Sequence, residues 1–187
     1  MHMPRLRTPL IGALLALAVA VVVTTGAAAG GDDGSRNATL YAANAPKNLW
    51  ATINICDTEK HPDQLGIRAR MPAMDRGVKM KMRFFVQYKR NGAWVGVPRD
   101  GGGTTMSDWF VVGYGKFKWE ELGDTFSFSK LKPGDLFLMR GLVKFQWRQH
   151  GKVLKTAHAY TTAHHSRSAY GDPKGYSAAT CSMSGSV

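Results

Sequence analysis

The sequence predicts an all-β fold, an antiparallel sandwich or barrel of seven to nine strands. Three observations lead there. Beyond residue 47, no segment of ten or more residues carries apolar side chains at helical spacing. Apolar and polar residues alternate instead, most cleanly in residues 80–89 (MKMRFFVQYK) and 143–148 (VKFQWR). Turn signals separate the runs: Asn91-Gly92, Pro133-Gly134-Asp135 and Gln149-His150-Gly151.

Residues 1–29 read as an export signal. Arg5 and Arg7 open it, residues 10–23 form an unbroken apolar run, and Ala27-Ala28-Ala29 supplies small residues for a signal peptidase. The run of 14 residues is shorter than the about 20 that cross a ~30 Å bilayer as a helix, so a retained anchor is the lesser alternative. Cys56 is the first cysteine, too distant for lipidation after cleavage, and Leu6 separates the two arginines, so no twin-arginine pair exists. Residues 30–47 are small and polar, a flexible lead-in in which Asn37-Ala38-Thr39 fits a glycosylation acceptor. Residues 48–187 are then one domain.

Within it, residues 49–56 alternate Leu49, Ala51, Ile53 and Ile55 against Trp50, Thr52 and Asn54, a first strand; residues 57–63 read as a loop. Residues 64–71 repeat the pattern until Pro72, which cannot donate to a ladder. In residues 80–89, Met80, Met82, Phe84, Val86 and Tyr88 share one face, and Lys81, Arg83, Phe85, Gln87 and Lys89 share the other. Asn91-Gly92 turns the chain back through residues 93–97, and the glycines 101–103 form a mobile loop. Residues 109–119 (WFVVGYGKFKW) read as one strand bulged at Gly113 and Gly115, with residues 120–124 turning away from it. Residues 125–148 hold a strand with Phe126 and Phe128, a corner at Pro133, and a long strand. In that strand Val143, Phe145 and Trp147 point inward while Lys144, Gln146 and Arg148 stay wet. Residues 152–162 form a further strand, residues 163–176 a long loop, and residues 177–183 return Cys181 to the body.

The net charge is +12; loss of residues 1–29 removes two arginines and no acid, leaving +10. Such a domain attracts polyanions non-specifically, and the charge says nothing about fold. Two cysteines in an exported chain allow a single bridge, Cys56 to Cys181, closing a loop of about 125 residues and contributing about 4 to 5 kcal/mol in chain-entropy terms. A thiol nucleophile would need a neighbouring base and a reducing setting.

The corner Leu131-Lys132-Pro133-Gly134-Asp135-Leu136-Phe137 resembles the L-x-P-G-x-x-Y corner of fibronectin type III domains, with Phe137 in place of the tyrosine. Phe84, Val86 and Tyr88, a glycine turn and Trp94 look like the third strand and hairpin of that fold. The resemblance covers about a quarter of the mature chain. It implies an immunoglobulin-like sandwich used for adhesion or recognition. More loosely, the mature region resembles small exported proteins of high-GC Gram-positive bacteria.

In such a sandwich the third strand pairs with the strand after the corner. Their outward faces then join Lys81, Arg83, Phe85 and Lys89 to Lys144 and Arg148, a basic patch around an exposed Phe85. The alternative is an outward face that merely keeps the sheet soluble. His158, His164 and His165 have no metal-ligand spacing and read as exposed, and no cofactor motif is present. Among the tryptophans, Trp94, Trp109, Trp119 and Trp147 read as core or hairpin clamps, core foremost, rather than a sugar platform. No G-x-S-x-G or paired-carboxylate motif names a catalytic residue. The expected function is therefore a noncatalytic binding or adhesion module of the cell surface or envelope. Its partner is an anionic wall polymer or a surface protein rather than a specific nucleic acid. The alternatives are a secreted hydrolase or carbohydrate-active protein with a loop-borne site, and a purely structural envelope component. A deep polar pocket holding a carboxylate or histidine pair would favour the hydrolase, and a flat face without one the binding module.

Overall fold

The structure, a computed structural model, describes residues 48–99, 102–128, 131, 134–167 and 169–184. The expected signal (1–29), the lead-in (30–47) with Asn37, and Lys132-Pro133 of the corner lie outside the described residues. The described residues contain nine strands and no helix: β1 (Trp50–Thr58), β2 (His61–Pro72), β3 (Lys79–Arg90), β4 (Ala93–Gly96), β5 (Phe110–Gly113), β6 (Trp119–Ser127), β7 (Leu136–Gln149), β8 (Lys152–Tyr160) and β9 (Cys181–Ser184). They make two antiparallel sheets. One has the order β1-β2-β6; the other follows β4-β3-β7-β8, with β5 added to β3 and β9 to β7.

The alternation read from residues 80–89 holds. Met80, Met82, Phe84 and Val86 of β3 are buried opposite Trp147, Phe145, Val143 and Gly141 of β7. These meet Ile53, Leu65, Ile67, Ala69 and Met71 from the smaller sheet in one apolar core. Each fully buried large side chain stabilises the fold by about 1.5 to 3 kcal/mol. Trp147 keeps its indole donor satisfied by giving it to the Pro72 carbonyl at 2.9 Å. At Gly141 the sheets pack closely, since a Cβ there would lie 2.7 Å from Ile67 Cδ1. The turns follow their chemistry too: Asn91-Gly92 and His150-Gly151 both adopt positive φ, as two-residue hairpins require.

Several expected elements differ. Residues 57–63 are not a loop, because β1 and β2 run on to a Glu59-Lys60 turn with Thr58 opposite His61. Residues 109–119 are not one bulged strand. The chain leaves the larger sheet after β5, turns through 114–118 and enters the smaller sheet as β6, which absorbs the turn expected at 120–124. The glycine loop is also tied at its base, where Thr105 N–H donates to Val97 O at 2.7 Å and Arg99 N–H to Gly103 O at 3.2 Å.

β1 is buried on both faces, Thr52 and Asn54 included. The cover is the chain after β8. Ile53 and Ala178 exchange backbone hydrogen bonds, and Thr162 N–H donates to Ala51 O. Thr52 Oγ1 lies 2.7 Å from Ser177 Oγ, and Asn54 Nδ2 donates to Tyr170 O at 2.8 Å. This strap ends in the expected bridge: Cys56 of β1 is bonded to Cys181 of β9, with Cα atoms 5.6 Å apart and 125 residues between them in sequence. The bond joins strands of different sheets. Replacing both cysteines by alanine is expected to lower stability by about 4 kcal/mol in equilibrium urea unfolding, most of the net stability of a small domain.

Candidate functional site

The strands of the larger sheet contain ten lysines and arginines in their sequences, Lys79, Lys81, Arg83, Lys89, Arg90, Arg140, Lys144, Arg148, Lys152 and Lys155, and no aspartate or glutamate. The carboxylates carried on strands, Asp57, Asp63, Glu120, Glu121 and Asp124, all belong to the smaller sheet. There Glu121 pairs with Arg70 and, at 3.7 Å, with Arg68. Charge is thus segregated by sheet.

On the outer face of the larger sheet, the register sets like charges opposite one another: Arg83 faces Lys144 and Lys79 faces Arg148. Such cross-strand pairs are destabilising. Aromatic faces take the place of counter-ions. Arg83 and Lys81 lie over Trp109 at 5.1 and 5.7 Å, Lys144 over Phe85 at 4.9 Å, and Lys79 over Tyr114 at 5.7 Å. Arg140 sits between Trp94 at 4.3 Å and Tyr160 at 4.0 Å and donates from Nε to Gln87 Oε1 at 2.9 Å. Each contact offsets about 0.5 to 1 kcal/mol of the like-charge cost at such partly exposed sites.

Of the expected surface residues, Arg83, Phe85 and Lys144 come together, with Lys81 beside them. Phe85 is half-buried beneath Lys144 rather than exposed, since the ammonium folds over its ring. Arg148 stands at one end of the sheet, where Nη2 donates to Gly151 O at 2.7 Å. Lys89 lies opposite Trp94 near the other end, six residues and roughly 20 Å along the strand from Arg83, and is not part of the cluster. Lys79, Arg140, Trp94, Trp109 and Tyr160 complete the face. Arg140 could have been found by extending the period-two count from Lys144 back through Leu142. The rings could not, because their strand partners are non-local.

The expectation that Trp94, Trp109 and Trp119 are core is corrected. Only Trp147 of that set is in the core; Trp119 is 41% exposed, and the other two lie half-buried over cations. The histidines are not simply exposed either. His165 stacks on Trp50 with centroids 4.3 Å apart, and His158 lies opposite Lys144 and edge-on to Tyr160. Burial, then the Lys144 charge, holds His158 below the ordinary imidazole range. Burial, then Arg70 and His164, does the same to His165, opposed by Glu121.

Two clefts adjoin these residues. One of about 380 Å³ opens at the end of the basic face, between Lys79, Lys81, Tyr114 and Arg148. The other, of about 250 Å³, lies on the smaller sheet and is lined by Trp50, Arg70, His164, His165, Ser166 and Arg167. The chain matches no protein-family model, no curated protein and no solved structure.

Two outcomes follow from these charges. Lys144→Glu, which places an acid opposite Arg83, is expected to raise stability by about 0.5 kcal/mol at low salt, with the gain fading as salt is added. It should also raise the His158 pKa, read by NMR titration. Both His158 and His165 are depressed in the folded state. Their contribution is therefore complete above the unfolded value of about 6.5 and is lost as pH falls through the lower folded values. Thermal unfolding at constant ionic strength should show stability falling between about pH 7 and 5, with a shallower fall in the variant carrying His158→Gln and His165→Gln.

Proposed function

We propose that this chain is a noncatalytic binding module of the cell envelope, and that the outer face of the larger sheet takes an anionic polymer. One observation carries the reading. The face sets lysine and arginine directly opposite each other in strands that contain no carboxylate, so repulsion remains that a bound anion would relieve. Outward residues on a strand repeat every ~7 Å and neighbouring strands lie about 4.8 Å apart, a two-dimensional grid suited to an extended polyanion rather than to one small ligand. The half-buried rings hold the cations in place at low entropic cost.

Export supports a place outside the cytoplasm: residues 1–29 have the layout of a signal, and the disulfide belongs to an oxidising compartment. We read the fold as an immunoglobulin-like, fibronectin type III-like sandwich. The strand order supports it, because β1, β2 and β6 correspond to strands A, B and E, and β3, β7 and β8 to C, F and G. Phe137 at the corner packs edge-on to Tyr88 at 5.9 Å, an apolar contact where the family's tyrosine would make a hydrogen bond. β5 and β9 are additions to that plan.

A loop-borne hydrolase is the second reading, and two observations favour it: the smaller cleft holds the His164–His165 pair, and Thr162 Oγ1 and His165 Nε2 are 3.0 Å apart beside it. It ranks lower because His165 lies flat on Trp50 with its basicity reduced, which weakens it as a general base.

The test is salt elution from immobilised heparin. Lys81→Glu, Arg83→Glu and Lys144→Glu together should elute at much lower salt than a control of equal net charge carrying Lys60→Glu, Arg99→Glu and Lys174→Glu. Equal losses in the two would show only net charge at work and end the proposal.

A further inference from the structure

Residues 113–119, GYGKFKW, alternate rings with lysines. The structure makes this segment the crossing from β5 to β6 and ties it to the β2–β3 loop. Gly77 N–H donates to Tyr114 O at 2.8 Å, and Ala73 N–H to Lys118 O at 3.0 Å. Gly115 has φ +67°, and a Cβ on it would lie 2.1 Å from the Asp75 carbonyl oxygen, so the two loops are in backbone contact and project as one unit.

What they project is apolar. Phe117 is 60% exposed, Tyr114 53%, Met74 45% and Trp119 41%. Val153 and Leu154 of β8 are about half exposed at the same end, opposite Arg148 and its neighbours in β7. Scattered exposed apolar residues are ordinary; several large ones at one end mark an interaction surface. Cations surround them: Arg76, Lys79, Lys116, Lys118, Arg148 and Lys152 outnumber Asp75 and Glu120. Lys116 and Lys79 lie within 5.7 Å of the Phe117 and Tyr114 ring centres, so ring and ammonium are presented together.

We infer that this end of the molecule docks on an anionic lipid bilayer. This end carries Met74, Tyr114 and Phe117 on two joined loops, 73–78 and 114–118, with lysines between and beside them. Its chemistry is that of the interface: tryptophan and tyrosine settle at headgroup level, phenylalanine reaches the acyl boundary, and lysine stems snorkel to meet lipid phosphates. The inference does not depend on the reading of the sheet face.

The experiment follows tryptophan emission of the full chain on phosphatidylcholine vesicles, with and without phosphatidylglycerol, containing lipids brominated high in the acyl chain. No tryptophan precedes Trp50, so quenching reports the folded domain and not the apolar N-terminal run. Quenching is expected on phosphatidylglycerol vesicles, with most of it removed by Trp119→Phe. Lys116→Glu with Lys118→Glu should weaken the lipid dependence by about tenfold or more. Phe117→Ser, at an exposed side chain, should abolish quenching while thermal unfolding and heparin elution stay unchanged, which separates this end from the sheet face. Quenching that survives Trp119→Phe or Phe117→Ser, or that is equal on neutral vesicles, overturns the proposal. So does no quenching at all, which would leave this end to an acidic protein partner.

Discussion

The two-residue period of β3 and β7 governs the molecule. Because successive side chains point to opposite sides, the register that buries Met80, Met82, Phe84 and Val86 against Val143, Phe145 and Trp147 also sets Lys79, Arg83, Lys144 and Arg148 outward in opposed pairs. A slip of one residue would exchange core and surface along the strand that shifted. The basic face is therefore fixed by the same constraint that makes the core. Its repulsion cannot be removed by shifting strands, only by partners: rings within the chain, and anions from outside it.

The smaller sheet solves the opposite problem. Its outer face carries Glu121 paired with Arg68 and Arg70, and Arg70 also lies between Trp50 and Trp119. Its edge strand β1 would expose backbone groups and the buried Thr52 and Asn54 were it not for the strap after β8, whose backbone and hydroxyls satisfy them. The Cys56–Cys181 bond fastens the strap's far end to both sheets at once. The smaller sheet thus has its β1 covered and Glu121 paired, while the larger sheet's outer cations meet rings, on strands without a carboxylate, and that asymmetry is the main argument for where a ligand goes.

Much of this was legible in the sequence because it is local. Alternation in residues 80–89 and 143–148, the Asn91-Gly92 and His150-Gly151 turns, and the cysteine pair each have a signal within a few residues or a single possible solution. What was not legible depends on distant partners. Gly113 and Gly115 announce a break, but whether the strand kinks or leaves its sheet is decided by β2 and the Asp75 carbonyl, some 40 residues away. Thr52 and Asn54 alternate like surface residues and are buried because a strap more than 115 residues later covers them. Trp94 and Trp109 were expected inside on size alone. Cations supplied by other strands lie over them at the surface, and another, Lys144, half-covers the Phe85 expected to be exposed.

A cationic grid on one face and a ring-and-lysine end beside it, which share Lys79 and Arg148, would give the domain two adjoining addresses, polymer and lipid. The claim beneath the polymer address is that the positive charge on β3 and β7, strands without a carboxylate, is a ligand site and not only a solvated face. Titrating a short heparin oligosaccharide into isotopically labelled protein and following backbone amides tests this most directly. The account predicts saturable shifts concentrated on β3, β7 and β8 around Arg83 and Lys144. Shifts spread evenly over both sheets, or confined to β1, β2 and β6, would contradict it.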